Sequence, residues 1–381
     1  MSVKICVYAI CKNESKFVKK WLDSMQEADS IVVLDTGSED GTYSLLKSDP
    51  RVAKVRRKQI TPWRFDVARN ESLKLVPKDA DVLICTDLDE VFEPGWADKV
   101  RAAWKPGVTT RGRYAYAWSH NEVGEPQDVF KYDKMHGRGY HWIYPVHEVL
   151  CPDDGTVEVG LDFGQTVYLH HYPDREKDRK FYFDLLGLAC EENPDDSHVR
   201  LLYAREFLLK DDPERALKEY LGVLEMPDVL TPTKRLVRLS AILHIALLYE
   251  GMRDFDNAIK YANAFIQIDP TYRDPYLVLG EIYNGLKMPT MAEAVCEAAL
   301  QYGRQHLDWV EMANTYLGWP YDVLSVAQGS LGKIDAALAN VEKARKHAPS
   351  DPRLVRNENV FLKAKVKLLE REVFEAGGST R

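Results

Sequence analysis

A short acidic run, Asp87-Leu88-Asp89-Glu90, carries the side chains best suited to chemistry, and it follows an apolar segment over residues 82–85. If the run is extended, residues two apart point the same way, so the Asp87 and Asp89 carboxylates share one side. Two such carboxylates form a site for a hard divalent cation, Mg²⁺ or Mn²⁺, that also accepts phosphate oxygens. The alternative is a solvated loop, because Asp-x-Asp is frequent by chance.

The elements around this run predict where it lies. Apolar strand-like segments over 5–10, 31–34, 52–55 and 82–85 alternate with helical patterns that include 15–27 and 65–76. Such alternation predicts βαβ units in a mainly parallel α/β sheet, whose ligands bind at the carboxyl ends of the strands. The polar residues that follow three of these strands are Lys12, Asn13 and Glu14, then Asp35 and Thr36, then Asp87, Asp89 and Glu90.

Residues 111–171 have a different pattern, which is aromatic and strand-like with little helical period. Alternation of this kind predicts strands rather than helices. We expect these residues to form an added antiparallel layer that closes the site from one side.

The rest of the chain is nearly all helical and contains an internal repeat. Pairs of small residues recur at a constant separation: Ala204/Ala216, Ala246/Ala258, Gly280/Ala292 and Ser325/Ala337. The step from Ala246 to Gly280 matches the roughly 34-residue length of a tetratricopeptide repeat, and small residues suit the points where paired helices cross. The amphipathic stretch 354–372 is expected to be a capping helix. An irregular helical domain with chance spacing is the alternative.

Composition excludes several classes of protein. The 381 residues are 29% charged and 45% hydrophobic, which argues against a disordered or collagen-like chain. The net charge of −8 argues against a general binder of nucleic-acid backbones. Six cysteines without a CxxC pair favour buried thiols in a reducing compartment. The apolar stretches are too short for a signal peptide or a membrane span, so we expect a cytoplasmic protein.

Four linked motifs resemble family 2 glycosyltransferases of the GT-A fold, and the resemblance covers roughly residues 4–172. The motifs are Ala9-Ile10-Cys11-Lys12-Asn13-Glu14, Val33-Leu34-Asp35-Thr36-Gly37-Ser38-Glu39-Asp40-Gly41-Thr42, Ala68-Arg69-Asn70 and Asp87-Leu88-Asp89-Glu90. With the helical repeats, the chain is similar to the branch that includes S-glycosyltransferases of glycopeptide bacteriocins and related bacterial and phage enzymes. The implied fold is a GT-A domain over 1–174, with a Rossmann-like, mainly parallel sheet and a mixed extension, followed by an all-α tetratricopeptide-like repeat domain over 175–381.

The resemblance implies inverting transfer from a nucleotide-diphosphate sugar, with UDP-sugars favoured, and Mn²⁺ or Mg²⁺ as cofactor. It places Asp35 at the nucleobase or ribose, and Thr36 stands where many members have a second acid. Arg69 would lie near the nucleotide or its diphosphate. The remaining implied binding residues are Ala9, Asn13 and Glu14 for the nucleotide, Asp87 for the ribose and metal, and Asp89 for the metal.

Two later segments complete the implied site. Tyr144-Pro145-Val146-His147-Glu148 resembles a His-Glu segment of this branch, which makes Glu148 the candidate general base. A structural ion pair is the alternative for Glu148. By strand alternation only one of His170 and His171 can face the site. The resemblance makes His171 the candidate metal ligand, because it matches the family's His-aromatic position better. One packed and one exposed histidine is the alternative. The basic residues Lys177, Arg179 and Lys180 are interpreted as solvated.

The leading hypothesis is a metal-dependent glycosyltransferase whose repeats bind a protein or peptide acceptor. A glycan, a lipid-linked sugar or a modified DNA base is the alternative acceptor, although membrane insertion is not expected and the negative charge weakens the case for nucleic acid. A catalytically idle scaffold protein is a hypothesis from another class. A nucleotidyltransferase ranks low because no glycine-rich loop follows the first strand. Pairing into a homodimer is left open, since terminal helices of repeat arrays often pair.

Overall fold

The computed structural model describes residues 2–121, 124–174, 180–227, 232–304 and 306–378. The chain forms two compact units, Met1–Pro194 with Leu307–Trp309, and Asp195–His306 with Val310–Arg381. Helix α5 (Tyr182–Glu192) therefore belongs to the first unit, although the sequence pattern placed it with the repeats. Of the basic residues after the predicted boundary, Lys177 and Arg179 lie outside the described residues.

The first unit begins with the predicted alternation of strands and helices. The strands are β1 (Ile5–Cys11), β2 (Ser30–Asp35), β3 (Val52–Arg57) and β4 (Val82–Thr86), and the helices between them are α1 (Ser15–Met25), α2 (Thr42–Ser48) and α3 (Phe65–Leu73). Strand β1 pairs in parallel with β2 on one side and with β4 on the other. All seven residues of β1 are buried, which explains why this strand is a continuous apolar run in the sequence.

The aromatic segment extends this sheet, as the mixed extension of the implied fold predicts. The expectation that the whole segment forms an added antiparallel layer is wrong. The added strands are β5 (Glu90–Phe92), β6 (Arg111–Ala117), β7 (Val129–His136), β10 (Gly160–Asp162) and β11 (Tyr168–His171). Across the described ranges they give a nine-stranded sheet in the order β3-β2-β1-β4-β7-β6-β11-β5, with β10 on β6. The physical reason is that Tyr114 and Tyr116 bury their rings in the same core as Trp21 and Trp96.

Strand directions bring several strand ends to one edge of the sheet. Strand β7 is antiparallel to both β4 and β6, so β6 runs parallel to β4, and β11 is parallel to β6. The carboxyl ends of β1, β2, β3, β4, β6 and β11 therefore lie along the same edge, which we call the carboxyl edge. Ligands of open α/β sheets bind at such an edge.

Both faces of the sheet are covered. Helix α1 and helix α4 (Trp96–Ala103) pack on one face through Trp21 and Trp96. On the other face, β8 (Tyr140–Ile143) and β9 (Val149–Pro152) form a separate two-stranded sheet, and Trp142 packs in a core with Tyr8.

The second unit consists of helical hairpins, as the repeat predicted. In the described part of this unit the hairpins are α6–α7 (Ser197–Leu209, Pro213–Glu225), α8–α9 (Pro232–Gly251, Phe255–Ile268), α10–α11 (Asp274–Gly285, Pro289–Leu300) and α12–α13 (Trp319–Ser330, Ile334–His347), with a 3₁₀ helix at Ala313–Tyr316. All eight small residues of the repeat pattern are buried in these hairpins. Asp212 and Asp254 cap α7 and α9 by accepting backbone N–H groups, which fixes where the second helices begin.

The last helix, α14 (Pro352–Gly378), packs on α13 through Leu354 and Phe361. It covers the end of the array as predicted. It is less polar than a simple cap, because Leu362 and Val366 are 47% and 52% exposed. None of the helices within the described ranges is both long and apolar enough to cross a membrane.

The small residue Gly280 marks a close approach between neighbouring helices. A Cβ at this position would lie 2.7 Å from Cys296 Sγ and 3.0 Å from a methyl group of Val323. We expect Gly280→Ala to lower the free energy of unfolding of the repeat unit by about 1–3 kcal/mol, because the packed neighbours must move.

The matched control is Gly285→Ala in the same helix, where an added Cβ meets nothing within 4 Å. This change should leave the free energy of unfolding unchanged or raise it, because alanine favours helix. Urea denaturation followed by circular dichroism measures both variants. Equal values for the two variants would contradict the close packing at Gly280.

Candidate active site

The loops after β1 and β2 hold one another at the carboxyl edge. Asn13 lies in the left-handed region with φ of 56°, and its backbone N–H donates to Ser38 Oγ. The Asn13 side chain accepts the backbone N–H of Glu39 at 2.7 Å. The backbone N–H of Glu14 donates to Thr42 Oγ1. Ala9 is fully buried within β1, so it contributes to the sheet rather than to an open surface.

Asp35 is the central acceptor of this pair of loops. Its Oδ1 accepts the backbone N–H groups of Gly37 and Ser38 at 3.1 Å and the Nε–H of Arg57 at 2.9 Å. Asp35 is fully buried, whereas Arg57 is half-exposed and lies over the ring of Tyr43. These contacts make Asp35 the group that shapes the loop, and its predicted contact with a nucleotide stays a prediction.

The acidic run forms a turn, so the expectation of an extended segment is wrong. The backbone N–H of Glu90 donates to the carbonyl of Asp87 and closes the turn. The Glu90 carboxylate accepts the backbone N–H of Asp87 and the hydroxyl of Tyr116. Glu90 is only 1% exposed, and burial raises the pKa of its carboxyl group. The turn gives Asp87 and Asp89 separate partners.

Arg69 on α3 connects three distant segments through one buried guanidinium. Its Nη2 donates to both oxygens of Asp87 at 2.9 and 3.1 Å, its Nε donates to Glu148 Oε1, and its Nη1 donates to Cys85 Sγ. The Arg69 side chain is only 4% exposed. Burial raises the pKa of the Cys85 thiol to about 11, so this sulfur is a neutral acceptor at pH 7. We call these four residues the Arg69 network.

Lys134 on β7 is a member of the site that the sequence reasoning missed. Its Nζ lies 3.3 Å from Asp87 Oδ2 and 3.9 Å from Glu90 Oε1, and its side chain is 7% exposed. Burial alone would raise the pKa of Asp87, but the charges of Arg69 and Lys134 hold that pKa well below its usual range. The missed signal was a lysine two residues after Tyr132, which alternation places on the same side of β7 as Phe130 and Tyr132.

Asp89 lies beside His171 at the other end of the turn. Asp89 Oδ2 is 3.4 Å from His171 Nε2, and His171 Nδ1 is 3.2 Å from the carbonyl of Trp118. Burial lowers the pKa of His171, but the hydrogen bond and charge of Asp89 outweigh this effect and raise the pKa overall. His170 instead lies 3.1 Å from Glu93. Of the two histidines, His171 is therefore the one next to the acidic run.

The donor set of this turn fits a divalent cation that is shared with a phosphate ligand. No group of three or more His, Cys, Asp or Glu side chains within the described ranges forms a metal site on its own. Asp89 and His171 supply one oxygen and one nitrogen that lie close enough to share an ion. Mg²⁺ and Mn²⁺ sites commonly use one or two protein ligands plus phosphates and water. Asp87 fits less well as a ligand, since Arg69 and Lys134 already bind its oxygens.

The segment before Glu148 has an unusual backbone. Tyr144 and His147 both have positive φ angles, 73° and 49°, in a region that costs a non-glycine residue roughly 1–3 kcal/mol. The carbonyl of Pro145 accepts the backbone N–H of Phe65, which ties the segment to the start of α3. This backbone positions the Glu148 carboxylate, which is 8% exposed, against Arg69. Its predicted role as a base stays a prediction.

A buried chain of hydrogen bonds supports the strand that precedes this segment. Trp142 Nε1 donates to the Tyr8 hydroxyl at 2.9 Å, and that hydroxyl lies 2.8 Å from His136 Nε2. His136 Nδ1 is 2.7 Å from the carbonyl of Gly137, so the proton of a neutral ring belongs on Nδ1. Burial lowers the pKa of His136 to about 3.

This chain of hydrogen bonds predicts a pH dependence of stability. Below pH 6.5 the unfolded chain protonates His136 while the folded chain keeps the ring neutral, so stability falls as pH decreases from 6.5 towards 3. For each unit by which the pH falls, we expect the free energy of unfolding of the parent to decrease by about 1 kcal/mol more than that of His136→Gln. The reason is that glutamine cannot titrate. Urea titrations between pH 7.5 and 4.5 measure this difference. Parallel pH profiles for the two proteins would contradict a neutral buried His136.

The Arg69 network predicts a large loss of stability on removal of the guanidinium. Arg69→Gln leaves the buried Glu148 carboxylate and Asp87 without their main partner, which should cost about 3–5 kcal/mol. Arg64→Gln at the start of the same helix is the control, because Arg64 is more exposed than Arg69 and its partners, Asp66 and the half-exposed Glu192, keep contact with solvent. That loss should be about 1 kcal/mol or less. If urea denaturation gave the same loss of unfolding free energy for both variants, the Arg69 network would stabilise the protein no more than a partly exposed ion pair does.

Comparison with known proteins adds two family matches. Residues 6–155 match the model of glycosyl transferase family 2, and residues 239–272 match a tetratricopeptide repeat model. The first match includes the acidic run, Arg69 and Glu148, while His171 lies beyond it. The second match covers most of the α8–α9 hairpin and its following turn.

One curated relative is a lipopolysaccharide core biosynthesis glycosyltransferase, LpsC, of Rhizobium meliloti (strain 1021). It is 25% identical over 167 residues, which is 39% of this chain and 57% of the relative. The chain therefore matches little more than half the length of this relative.

Solved structures similar to the chain include repeat proteins. A thermophilic tetratricopeptide repeat protein from Thermus thermophilus is 24% identical with a TM-score of 0.33, covering 47% of this chain and 89% of that one. MamA, from residue 41 to its end, from Desulfovibrio magneticus is 14% identical with a TM-score of 0.34, covering 46% and 94%.

Proposed function

Because residues 6–155 match glycosyl transferase family 2, we propose that the protein is a metal-dependent inverting glycosyltransferase. It moves a sugar from a nucleotide-diphosphate donor, with a UDP-sugar favoured, to an acceptor. The observation that carries the proposal is the Asp87–Glu90 turn at the carboxyl edge, where Asp87 meets Arg69 and Asp89 meets His171. A cytoplasmic location is part of the proposal.

The donor-binding roles follow from these contacts. The loops held by Asn13, Glu14 and Asp35 form the nucleotide side of the site, and the half-exposed Arg57 extends over this side. Asp87, fixed by Arg69 and Lys134, presents ionised oxygens to the ribose hydroxyls. Asp89 and His171 would hold the Mn²⁺ or Mg²⁺ ion, and its chemistry there would be to offset negative charge on a nucleoside diphosphate.

Glu148 is proposed as the general base that deprotonates the acceptor. Arg69 Nε binds its Oε1, so Oε2 is the oxygen that receives the proton. The same guanidinium binds Asp87, which connects the base to the donor side of the site. The family pattern and the unusual backbone before Glu148 support this role.

The donor and the metal can be tested by thermal shift. We expect a UDP-sugar with Mn²⁺ to raise the melting temperature more than either alone, since a ligand that binds only the folded state stabilises it. Asp89→Asn should lose the Mn²⁺-dependent part of this shift. Asp98→Asn, which alters an acid of α4 that is 89% exposed, should keep it. If Asp89→Asn released nucleotide as fast as the parent, the metal role would be wrong.

The base can be separated from a structural role by kinetics. We expect Glu148→Gln to lower kcat by about 10²–10⁴-fold while the KM for the donor stays nearly constant. Glu148→Asp should recover part of the activity, because it keeps a carboxylate. A large rise in donor KM with little loss of kcat would instead assign Glu148 to holding Arg69.

The acceptor is proposed to be a protein or peptide side chain, because helical repeat arrays suit extended peptides. A glycan acceptor is the second candidate, favoured by the role of the Rhizobium meliloti relative in lipopolysaccharide core biosynthesis. Transfer of radiolabelled sugar to a peptide library and to lipopolysaccharide cores compares the two. Tight donor binding without transfer to any acceptor would favour the idle scaffold.

A further inference from the structure

The last helix carries two apolar faces, and the protein's own core covers only one of them. Helix α14 runs over 27 residues, from Pro352 to Gly378, about 40 Å at 1.5 Å per residue. Its first face holds Leu354 and Phe361, which are 3% and 6% exposed and pack among residues of α13. A second face, turned about 120° from the first at 3.6 residues per turn, is apolar and exposed.

The second face repeats with the period of a coiled coil. Its positions alternate steps of four and three residues: Val355, Asn359, Leu362, Val366, Leu369 and Val373. Leu362, Val366 and Leu369 are 47%, 52% and 46% exposed, and Val373 is 73% exposed. We call these six positions the heptad stripe.

The residue types of the stripe indicate the number and direction of helices. With Asn359, Val366 and Val373 at the a positions, the d positions are Val355, Leu362 and Leu369. β-Branched residues at a with leucine at d favour two parallel strands. A single asparagine at an a position fixes the register, because in a parallel pair it faces its own copy.

The charges beside the stripe are complementary to a second copy of the same helix. In a parallel pair, position g of one chain faces position e of the next heptad in its partner. Lys365 at g would then face Glu370 at e, and Glu358 at g would face Lys363 at e. Within the chain, Glu358 already pairs with Arg345, so the Lys365–Glu370 pair carries most of the argument. The Lys365–Asp335 pair is exposed and costs little to exchange.

We propose that the heptad stripe of α14 joins two copies of this chain as a parallel, in-register coiled-coil homodimer. The partner is a second copy of this chain rather than another protein, for three reasons. The a and d residues favour a parallel pair of helices, Asn359 would face its own copy, and the charges at g and e are complementary between two copies. The proposal does not depend on glycosyl transfer. Each dimer would carry two family 2 domains.

The first test is the molecular mass of the full chain by sedimentation equilibrium. We expect a dimer at micromolar concentration, and we expect Val366→Asp to weaken dimerisation at least a hundredfold. The control is Val360→Asp, which changes the same residue type on the same helix at 57% exposure but outside the stripe. That variant should remain dimeric. Equal thermal midpoints of the repeat unit in the two variants show that Val366→Asp has not unfolded it.

The second test reads the direction and register. Lys365→Glu alone and Glu370→Lys alone should each weaken the homodimer, because each places like charges at both g–e contacts. A mixture of the two variants should form a heterodimer that regains the parent affinity. Between unlike chains, both g–e contacts again pair opposite charges, and the like-charged homodimers are disfavoured. Differently tagged chains and co-purification measure this exchange.

Clear outcomes would overturn the proposal. A parent chain that is monomeric at tens of micromolar removes the homodimer and leaves the stripe to a different partner. A dimer that Val366→Asp does not weaken places the interface elsewhere. A dimer without heterodimer rescue in the charge-swap experiment excludes the parallel register.

Discussion

The candidate site depends on one constraint, which is that the guanidinium of Arg69 is buried and must have partners. A buried charge without hydrogen bonds is far too costly for a marginally stable protein. Asp87 and the Cys85 sulfur at the end of β4, and Glu148 before β9, meet this need from two separate segments. The position of α3 therefore determines where the end of β4 and the approach to β9 can lie. The geometry of the candidate site and the packing of the first unit are therefore coupled through electrostatics.

Much of the first unit could be predicted from the sequence because its signals are local. The apolar runs and helical periods gave the alternation of β1 to β4 with their helices, and the acids after β4 stood out by position. The resemblance implies a mixed extension of the sheet, but the pairing of its strands could not be predicted from local signals. Pairing of β7 with β4 and of β11 with β6 joins residues far apart in the chain, and the alternation of a strand says nothing about its neighbour.

The same limit applies to the site residues. Lys134 and Arg57 act on Asp87 and Asp35 from other strands, so no spacing motif contains them. The turn at Asp87 could not be predicted either, because an Asp-x-Asp motif does not distinguish a turn from an extended segment. What closes the turn is the burial of Glu90, whose carboxylate accepts the Asp87 N–H. The same carboxylate accepts the hydroxyl of Tyr116 from β6, and no local pattern joins these two residues.

The turn divides the work of two neighbouring carboxylates in a way that the motif alone does not predict. If Asp87 and Asp89 shared one extended face, both would be available to a cation and both would repel each other in its absence. The turn instead gives Asp87 two fixed positive charges, whereas Asp89 has the titratable ring of His171 beside it. An arriving cation would therefore compete with a histidine for Asp89, but with an arginine and a lysine for Asp87. The site is thus organised to keep one carboxylate as a rigid hydrogen-bond acceptor and to leave the other open to exchange.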